Sequence, residues 1–321
     1  MRILVIGGSG FLGSHVVDSL AAHGHLVTVF DRTALAPVSH PSHLVTFVRG
    51  NIFDPNAVSQ ALDGHDWVVH CVAATVPATA DGDPAREFRT VVPATVDLLS
   101  QCAARGIGFA FLSSGGTIYG EGGDVPCAET HRLHPRTPYA IAKVAIEQYV
   151  EYFHATQGMP ALIFRVANPY GPRQRSDRPQ GVIPVLLRNI AAGRTVDIIG
   201  DGTAVRDYIH VRDMATMITR AVMSDRAAHL IYNIGSGTGV SLLNLLEIIE
   251  DVTGVSPHRN HLPAPASFVH QIVLDTTRFT TDFHTPTLVP LAVGVDELWK
   301  SMNEATLPSL SSPVTLIGGS E

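Results

Sequence analysis

Tyr139 and Lys143 stand four residues apart in Tyr-Ala-Ile-Ala-Lys, a spacing that places a phenol and an ammonium on one face of a helix. A phenol with its ordinary pKa near ~10 is a poor base at neutral pH. A cation within a few ångströms stabilises the phenolate and brings it toward the working range. The pair reads as acid–base chemistry on a hydroxyl or carbonyl; the plainer alternative is a surface ion-pair helix. Upstream, Ser113-Ser114-Gly115-Gly116-Thr117-Ile118-Tyr119-Gly120 is expected to carry hydroxyls at the carboxyl end of a strand, the edge at which open α/β sheets bind ligands. A second group of residues suits phosphate. In Gly7-Gly8-Ser9-Gly10-Phe11-Leu12-Gly13, Gly7 permits a tight turn and Gly10 lets backbone approach a pyrophosphate. Gly13 allows close helix–strand packing, and Phe11 and Leu12 open a helix whose N–H groups face the phosphates. Asp31 closes the next apolar run, where an acid binds ribose hydroxyls. It favours NAD, because a carboxylate repels a 2′-phosphate; Arg32 beside it attracts that phosphate if Asp31 turns aside, or is a solvated surface charge, so NADP or NAD stays open. Asn51 and Ile52 follow the third run and can line an adenine, while Asp54 can cap the helix that starts at Pro55.

These residues need a scaffold. Ile3–Ile6, Leu26–Phe30, Leu44–Val48, Trp67–Val72 and Phe109–Leu112 are apolar runs, and a further strand is expected at Ala161–Val166. Such runs are strands buried on both faces, which requires crossover helices on each side of a parallel sheet. Phe11–His23, Phe88–Ala104 and Tyr139–Thr156 have the matching helical spacing. The predicted fold is α/β, a doubly wound parallel sheet with a smaller, mixed C-terminal substrate lobe. We place the dinucleotide-binding domain at 1–170, with 205–235 returning to it, and the lobe at 171–204 and 236–321. From Asn168 to Gly181 the texture is polar and turn-rich, Pro257–Pro265 is proline-punctuated, and the stretch from Asn303 to Glu321 is expected to fray.

Of 321 residues, 45% are apolar and 16% charged, with a formal net charge of −7. That composition excludes wholesale disorder and any general attraction to nucleic acid or an anionic membrane. No apolar run reaches the ~20 residues of a membrane span, and the start of the chain lacks a secretory pattern. Cys71, Cys102 and Cys127 are odd in number and without C-x-x-C spacing, which suits a reducing, cytoplasmic setting. The sixteen histidines include His40-x-x-His43, His131-x-x-His134 and His258-x-x-His261. No third ligand pattern accompanies these pairs, so no metal is expected.

Taken together, Gly7-x-x-Gly10-x-x-Gly13, His70-Cys71-Val72-Ala73-Ala74, Ser113-Ser114…Tyr119-Gly120, Tyr139-x-x-x-Lys143, Asn168-Pro169-Tyr170-Gly171 and Arg206-Asp207-Tyr208-Ile209-His210-Val211 resemble the extended short-chain dehydrogenase/reductases. The likeness is to their nucleotide-sugar epimerases, dehydratases and ketoreductases, and it runs from Met1 to about Lys300. The resemblance implies a Rossmann domain and a hydride exchanged between the nicotinamide and a sugar carbon. It makes Tyr139 the acid–base for the sugar oxygen, with Lys143 on the cofactor ribose and a hydroxyl of Ser114–Thr117 polarising the same oxygen. Ala73 would border the cofactor, while Asn168 and Arg206 would hold the substrate diphosphate. A homodimer through the Tyr139 helix and the preceding helix (about Pro84 to Ala104) is also implied.

Three departures bear on the reaction. Gly115 stands where the epimerase pattern has Ser or Thr, leaving Ser114 and Thr117, of which Thr117 is preferred. Thr90 stands where an asparagine is usual. Pro263-Ala264-Pro265-Ala266-Ser267-Phe268-Val269 falls where an Arg and an Asp are usual, so the pocket is less polar and suits a C6 methyl. The expected reaction is an NAD(P)H-dependent 4-ketoreduction of a nucleoside-diphosphate 4-keto-6-deoxyhexose, dTDP-linked. The alternative is an NAD-dependent UDP-hexose 4-epimerase. A 4,6-dehydratase is disfavoured because Gly115-Gly116 supplies no carboxylate. A catalytically silent, cofactor-bound protein is the third class.

Overall fold

The computed structural model describes residues 1–33, 43–75, 82–121, 125–174, 181–265 and 268–304. In chain order the first half forms β1 (Arg2–Ile6), α1 (Phe11–Ala22), β2 (Leu26–Asp31), β3 (Val45–Arg49), α2 (Pro55–Ala61), β4 (Trp67–His70), α3 (Arg86–Arg89), α4 (Val91–Arg105), β5 (Gly108–Ser114), α5 (Gly115–Ile118), α6 (Pro138–Gln157) and β6 (Ala161–Val166). The second half forms β7 (Asn168–Tyr170), α7 (Val182–Ala191), β8 (Val196–Ile199), β9 (Val205–His210), α8 (Val211–Val222), β10 (Ile231–Ile234), β11 (Gly239–Ser241), α9 (Leu242–Thr253), β12 (Arg259–Leu262), β13 (Gln271–Ile272), α10 (Thr277–Phe283) and α11 (Leu291–Glu304).

Side chains alternate across a strand, and β1 uses both faces. Ile3 and Val5 enter one core with Val16, Leu20, Met214 and Ile218, beneath the packed pair α1 and α8. Leu4 and Ile6 enter the other with Leu98, Ile146 and Phe153, beneath α4 and α6. These four side chains are at most 1% exposed, and burying each contributes about 1.5–3 kcal/mol. The result is a seven-stranded sheet in the order β10-β6-β5-β4-β1-β2-β3, parallel throughout. This is the expected doubly wound fold. The order reverses between β1 and β4, which opens a crevice at the carboxyl ends of those strands.

The remaining elements build the mixed lobe. β9 pairs with β7, β11 and β13 in a second sheet, and β8 pairs with β12. Leu186, Leu187, Leu245, Leu246 and Leu298 from α7, α9 and α11 share a third core. Within 205–235, β9 lies in the second sheet whereas α8 and β10 serve the first.

Two local expectations need correction. The run Leu44–Val48 is not buried on both faces: β3 is the sheet edge, with Phe47 and Val48 exposed. Phe88–Ala104 is not one helix. Thr90, at φ −127° and ψ −80°, separates α3 from α4. His40, residues 175–180, Ala266 and Ser267, and 305–321 lie outside the described residues. Among the described residues no helix is long and apolar enough to cross a membrane.

Candidate active site

The glycine turn follows β1. Gly7 takes φ +80°, its N–H donates to Phe30 O (3.0 Å), and its carbonyl accepts from Gly10 N (3.0 Å). A Cβ on Gly10 would stand 3.2 Å from Gly7 O, and one on Gly13 only 2.3 Å from the same oxygen. The turn therefore fits under α1 only with glycine at position 13. No side chain caps α1, so its positive end is presented by backbone alone. Beside the turn, Asp31 Oδ2 accepts from Ser9 N (3.1 Å) and Oδ1 from Arg32 N (2.7 Å). Asp31 is thus held in place, not turned aside as an Arg32–phosphate contact would require. Asn51 is exposed, with Oδ1 accepting from Phe53 N (3.2 Å), and Asp54 caps α2. Ile52 lines a hollow of about 390 Å³ together with Phe53, Thr90 and Asp97. This cradle of uncapped helix, glycine turn and fixed carboxylate has the donor set of a dinucleotide site.

On the other side of the crevice, Thr137 caps α6, accepting from Ala140 N, with Pro138 in its first turn. One turn on, Tyr139 and Lys143 face β5. Lys143 is buried, its Nζ donates to Leu112 O (2.9 Å), and it lies 4.7 Å from the Phe111 ring centroid and 5.7 Å from that of Tyr139. Ser114, at the end of β5, is hydrogen-bonded to the Tyr139 phenol. Thr117 Oγ1 points back to Ser114 O (3.4 Å), so Ser114 and not Thr117 is the hydroxyl that meets the phenol here. Gly115 explains the shift. A Cβ there would be 2.7 Å from Leu274 Cδ1 and 2.8 Å from Arg165 O, so the position can carry no hydroxyl.

The expected acidification of Tyr139 is not seen. Burial, together with the Glu87 carboxylate, pushes the phenol up to about 12 and outweighs the opposing Ser114 hydrogen bond. Lys143 is itself drawn down to about 8 by burial, against the pull of Glu87. Glu87 belongs to none of the motifs recognised in the sequence. Its position on a four-residue helix between two arginines gives no periodic signal.

Asn168 lies against the Ser114–Thr117 segment: a Cβ on Gly116 would be 3.1 Å from its Oδ1, and its Nδ2 donates to Asp207 O (2.9 Å). Arg206 is placed differently. Its guanidinium donates to the carbonyls of Val205 (2.8 Å), Val269 (2.6 Å) and His270 (3.2 Å), with the Phe268 ring centroid 5.9 Å away. It therefore braces the 269–270 segment. Thr90 Oγ1 donates to Arg86 O (2.6 Å) and is taken up by its own helix. Ala73 is exposed on the turn after β4. Among the described residues no three His, Cys, Asp or Glu side chains gather into a metal-binding group.

Comparison with known proteins agrees with this geometry. Residues 3–235 match the model of the "NAD dependent epimerase/dehydratase family". The chain belongs to that family. Members similar to it include a dTDP-glucose 4,6-dehydratase of Streptomyces niveus, 32% identical over 98% of this chain and 96% of that protein. Among solved structures, a UDP-glucose 4-epimerase of Thermotoga maritima with UDP-glucose superposes with a TM-score of 0.87 at 32% identity, covering 95% of this chain and 99% of that one. The Thermus thermophilus UDP-glucose 4-epimerase, in complex with NAD, superposes with a TM-score of 0.86 at 29% identity, covering 95% and 100%. The chain is thus an epimerase/dehydratase-family enzyme with a nicotinamide dinucleotide cofactor.

A buried network behind β5 supports the site in this family member. Arg165 Nη2 and Glu147 Oε2 pair at 2.7 Å, with side chains 4% and 0% exposed. Ser113 Oγ also donates to Glu147, and Arg165 Nη1 donates to Tyr119 Oη (3.2 Å) and Glu129 O (2.8 Å). Removing one member of such a pair costs about 3–5 kcal/mol, because it leaves a buried charge uncompensated.

Proposed function

We propose that this protein is an NAD-dependent 4-epimerase of a nucleoside-diphosphate hexose. The observation that carries the reading is the Ser114–Tyr139–Lys143 array opposite the Asp31 turn, with no carboxylate anywhere in Ser114–Thr117. A 4,6-dehydratase must also remove water from the sugar, and an acid–base carboxylate for that step is missing from the segment. Asp31, fixed by Ser9 and Arg32 amides, meets the 2′-position with negative charge and supports NAD over NADP. When bound, the dinucleotide supplies the carbon that accepts and returns a hydride. Tyr139, as the phenolate that the Lys143 ammonium favours, would take the proton of the sugar's C4 hydroxyl as the C4 hydride leaves, and give it back when the hydride returns to the opposite face of the C4 ketone. Ser114 orients the same oxygen, and Lys143 holds the cofactor ribose and favours the phenolate as it forms. Asn168 contributes to the diphosphate site. Arg206 joins it by exchanging backbone carbonyls for phosphate oxygens, a stronger charge-assisted partner.

A second reading, 4-ketoreduction of a 4-keto-6-deoxyhexose, is favoured by two observations. The segment carrying Pro263, Pro265 and Phe268 is apolar, and a phenol pushed up to about 12 is in the form that donates a proton to a ketone. Incubating the protein with UDP-glucose and no added cofactor separates the two. Formation of UDP-galactose with no net change in nicotinamide absorbance is expected. Absence of that product, with oxidation of NADH or NADPH by a dTDP-4-keto-6-deoxyhexose, assigns the reductase instead.

The assembly we propose is a homodimer. Ile141, Tyr149 and Tyr152 on α6 are 46%, 42% and 54% exposed, and their spacing puts them on one stripe. A second copy of that stripe and of the adjoining α4 would bury them.

A further inference from the structure

Glu87 is 4% exposed, and burying a carboxylate is costly unless it is bonded and opposed by charge. The bonds are present. Oε1 accepts from Ala74 N (3.0 Å), Thr75 N (2.6 Å) and Thr75 Oγ1 (2.7 Å), which ties α3 to the turn after β4. α3 also packs on α6, the helix of Tyr139 and Lys143. None of those three donors carries a charge.

Lys143 poses the complementary question. It is a buried ammonium whose Nζ donates to the Leu112 carbonyl (2.9 Å) between the Phe111 and Tyr139 rings. The titratable groups that reach it among the described residues are Tyr139 and Glu147 on its own helix, His70 and Cys71 at the end of β4, and Glu87 on α3. Most of these offer no negative charge near neutral pH. Burial holds Tyr139 and Cys71 up at about 12 and His70 down at about 3. Glu147 is committed to Arg165 at 2.7 Å. Glu87 is left.

We propose that Glu87 is the counter-charge of the active site, a positioning residue whose carboxylate, pinned to the Ala74–Thr75 turn, keeps Lys143 an ammonium beside Tyr139. The inference rests on Tyr139 and Lys143 being the working pair. Its consequence has a definite sign. Glu87 draws the proton affinity of Lys143 upward against burial and raises that of Tyr139, so neutralising it lowers both, and the pH–rate profile moves to lower pH.

The test uses the fact that the chain contains two lysines, Lys143 and Lys300. Isotope-labelled lysine therefore gives two Cε resonances to follow against pH. In the native protein Lys143 is expected to titrate near 8, below Lys300. In Glu87→Gln its midpoint falls by about one pH unit or more while Lys300 stays fixed, and Glu87→Asp, which keeps the charge, stays nearer the native value. An unchanged Lys143 midpoint in folded Glu87→Gln overturns the proposal. Should that variant not fold, the native chain with labelled glutamate answers: the Glu87 carboxyl carbon must move with the Lys143 step, and a flat signal there overturns it equally. These resonances need no substrate. A shifted midpoint in a protein that turns over no nucleotide sugar sinks the epimerase reading and leaves the pairing standing; an unshifted midpoint in an active enzyme does the reverse.

Discussion

At the scale of single residues, the site turns on which hydroxyl touches the phenol. Ser114 does, while Thr117 is engaged with a backbone carbonyl. Ser114→Ala should therefore lower kcat about 10- to 100-fold, and Thr117→Ala should change it less than about threefold, in steady-state assays of the same substrate. pH follows from Lys143. Its ammonium is needed, and burial brings its pKa from an ordinary 10.5 to about 8, so activity should fall as pH rises through about 8. Because the folded-state value is depressed, the unfolded chain holds more protons between those two values. The stability of the native chain relative to Lys143→Met should accordingly rise with pH over that window, as read by denaturant titration. The placement of Tyr139, Lys143 and Asp31 was legible in the sequence because the roles proposed for them demand fixed spacing from a strand or along a helix. Ser114 was legible only as one of two hydroxyls, with Thr117 preferred, and Glu87 was not legible. The first depends on a side chain that Leu274 excludes at Gly115, the second on a helix break, and both are tertiary facts.

At the scale of elements, the α1 entrance is the tightest fit. Gly13→Ala places a methyl 2.3 Å from Gly7 O, and relieving that overlap moves either the helix or the turn. Overpacking of this kind costs about 1–3 kcal/mol, so a lower Tm and at least tenfold weaker dinucleotide binding are expected, read by thermal melts and calorimetry. The strand–turn–helix unit was legible because glycine spacing and apolar runs are local. The break at Thr90 and the exposed edge at β3 were not: one follows from α3 docking on α6 to carry Glu87, and the other from where the sheet stops. Neither leaves a periodic trace.

At the scale of the whole molecule, the doubly wound order brings a turn near residue 7 and a helix near residue 140 to opposite lips of one crevice, and α6 then has two duties. Its inner face carries Tyr139 and Lys143, and its outer face carries Ile141, Tyr149 and Tyr152. Tyr152→Glu should convert a dimer to a monomer in sedimentation velocity while the far-ultraviolet spectrum stays unchanged; a monomeric native protein contradicts the assembly. Sequence patterning could announce the apolar stripe but not whether the fold itself would cover it. The central claim concerns the inner face, and Tyr139→Phe tests it most directly. With dinucleotide retention measured alongside, the variant should bind cofactor as the native enzyme does and convert nucleotide sugar about 10²- to 10⁴-fold more slowly. A variant that keeps native turnover would show that the phenol is not the acid–base of this site.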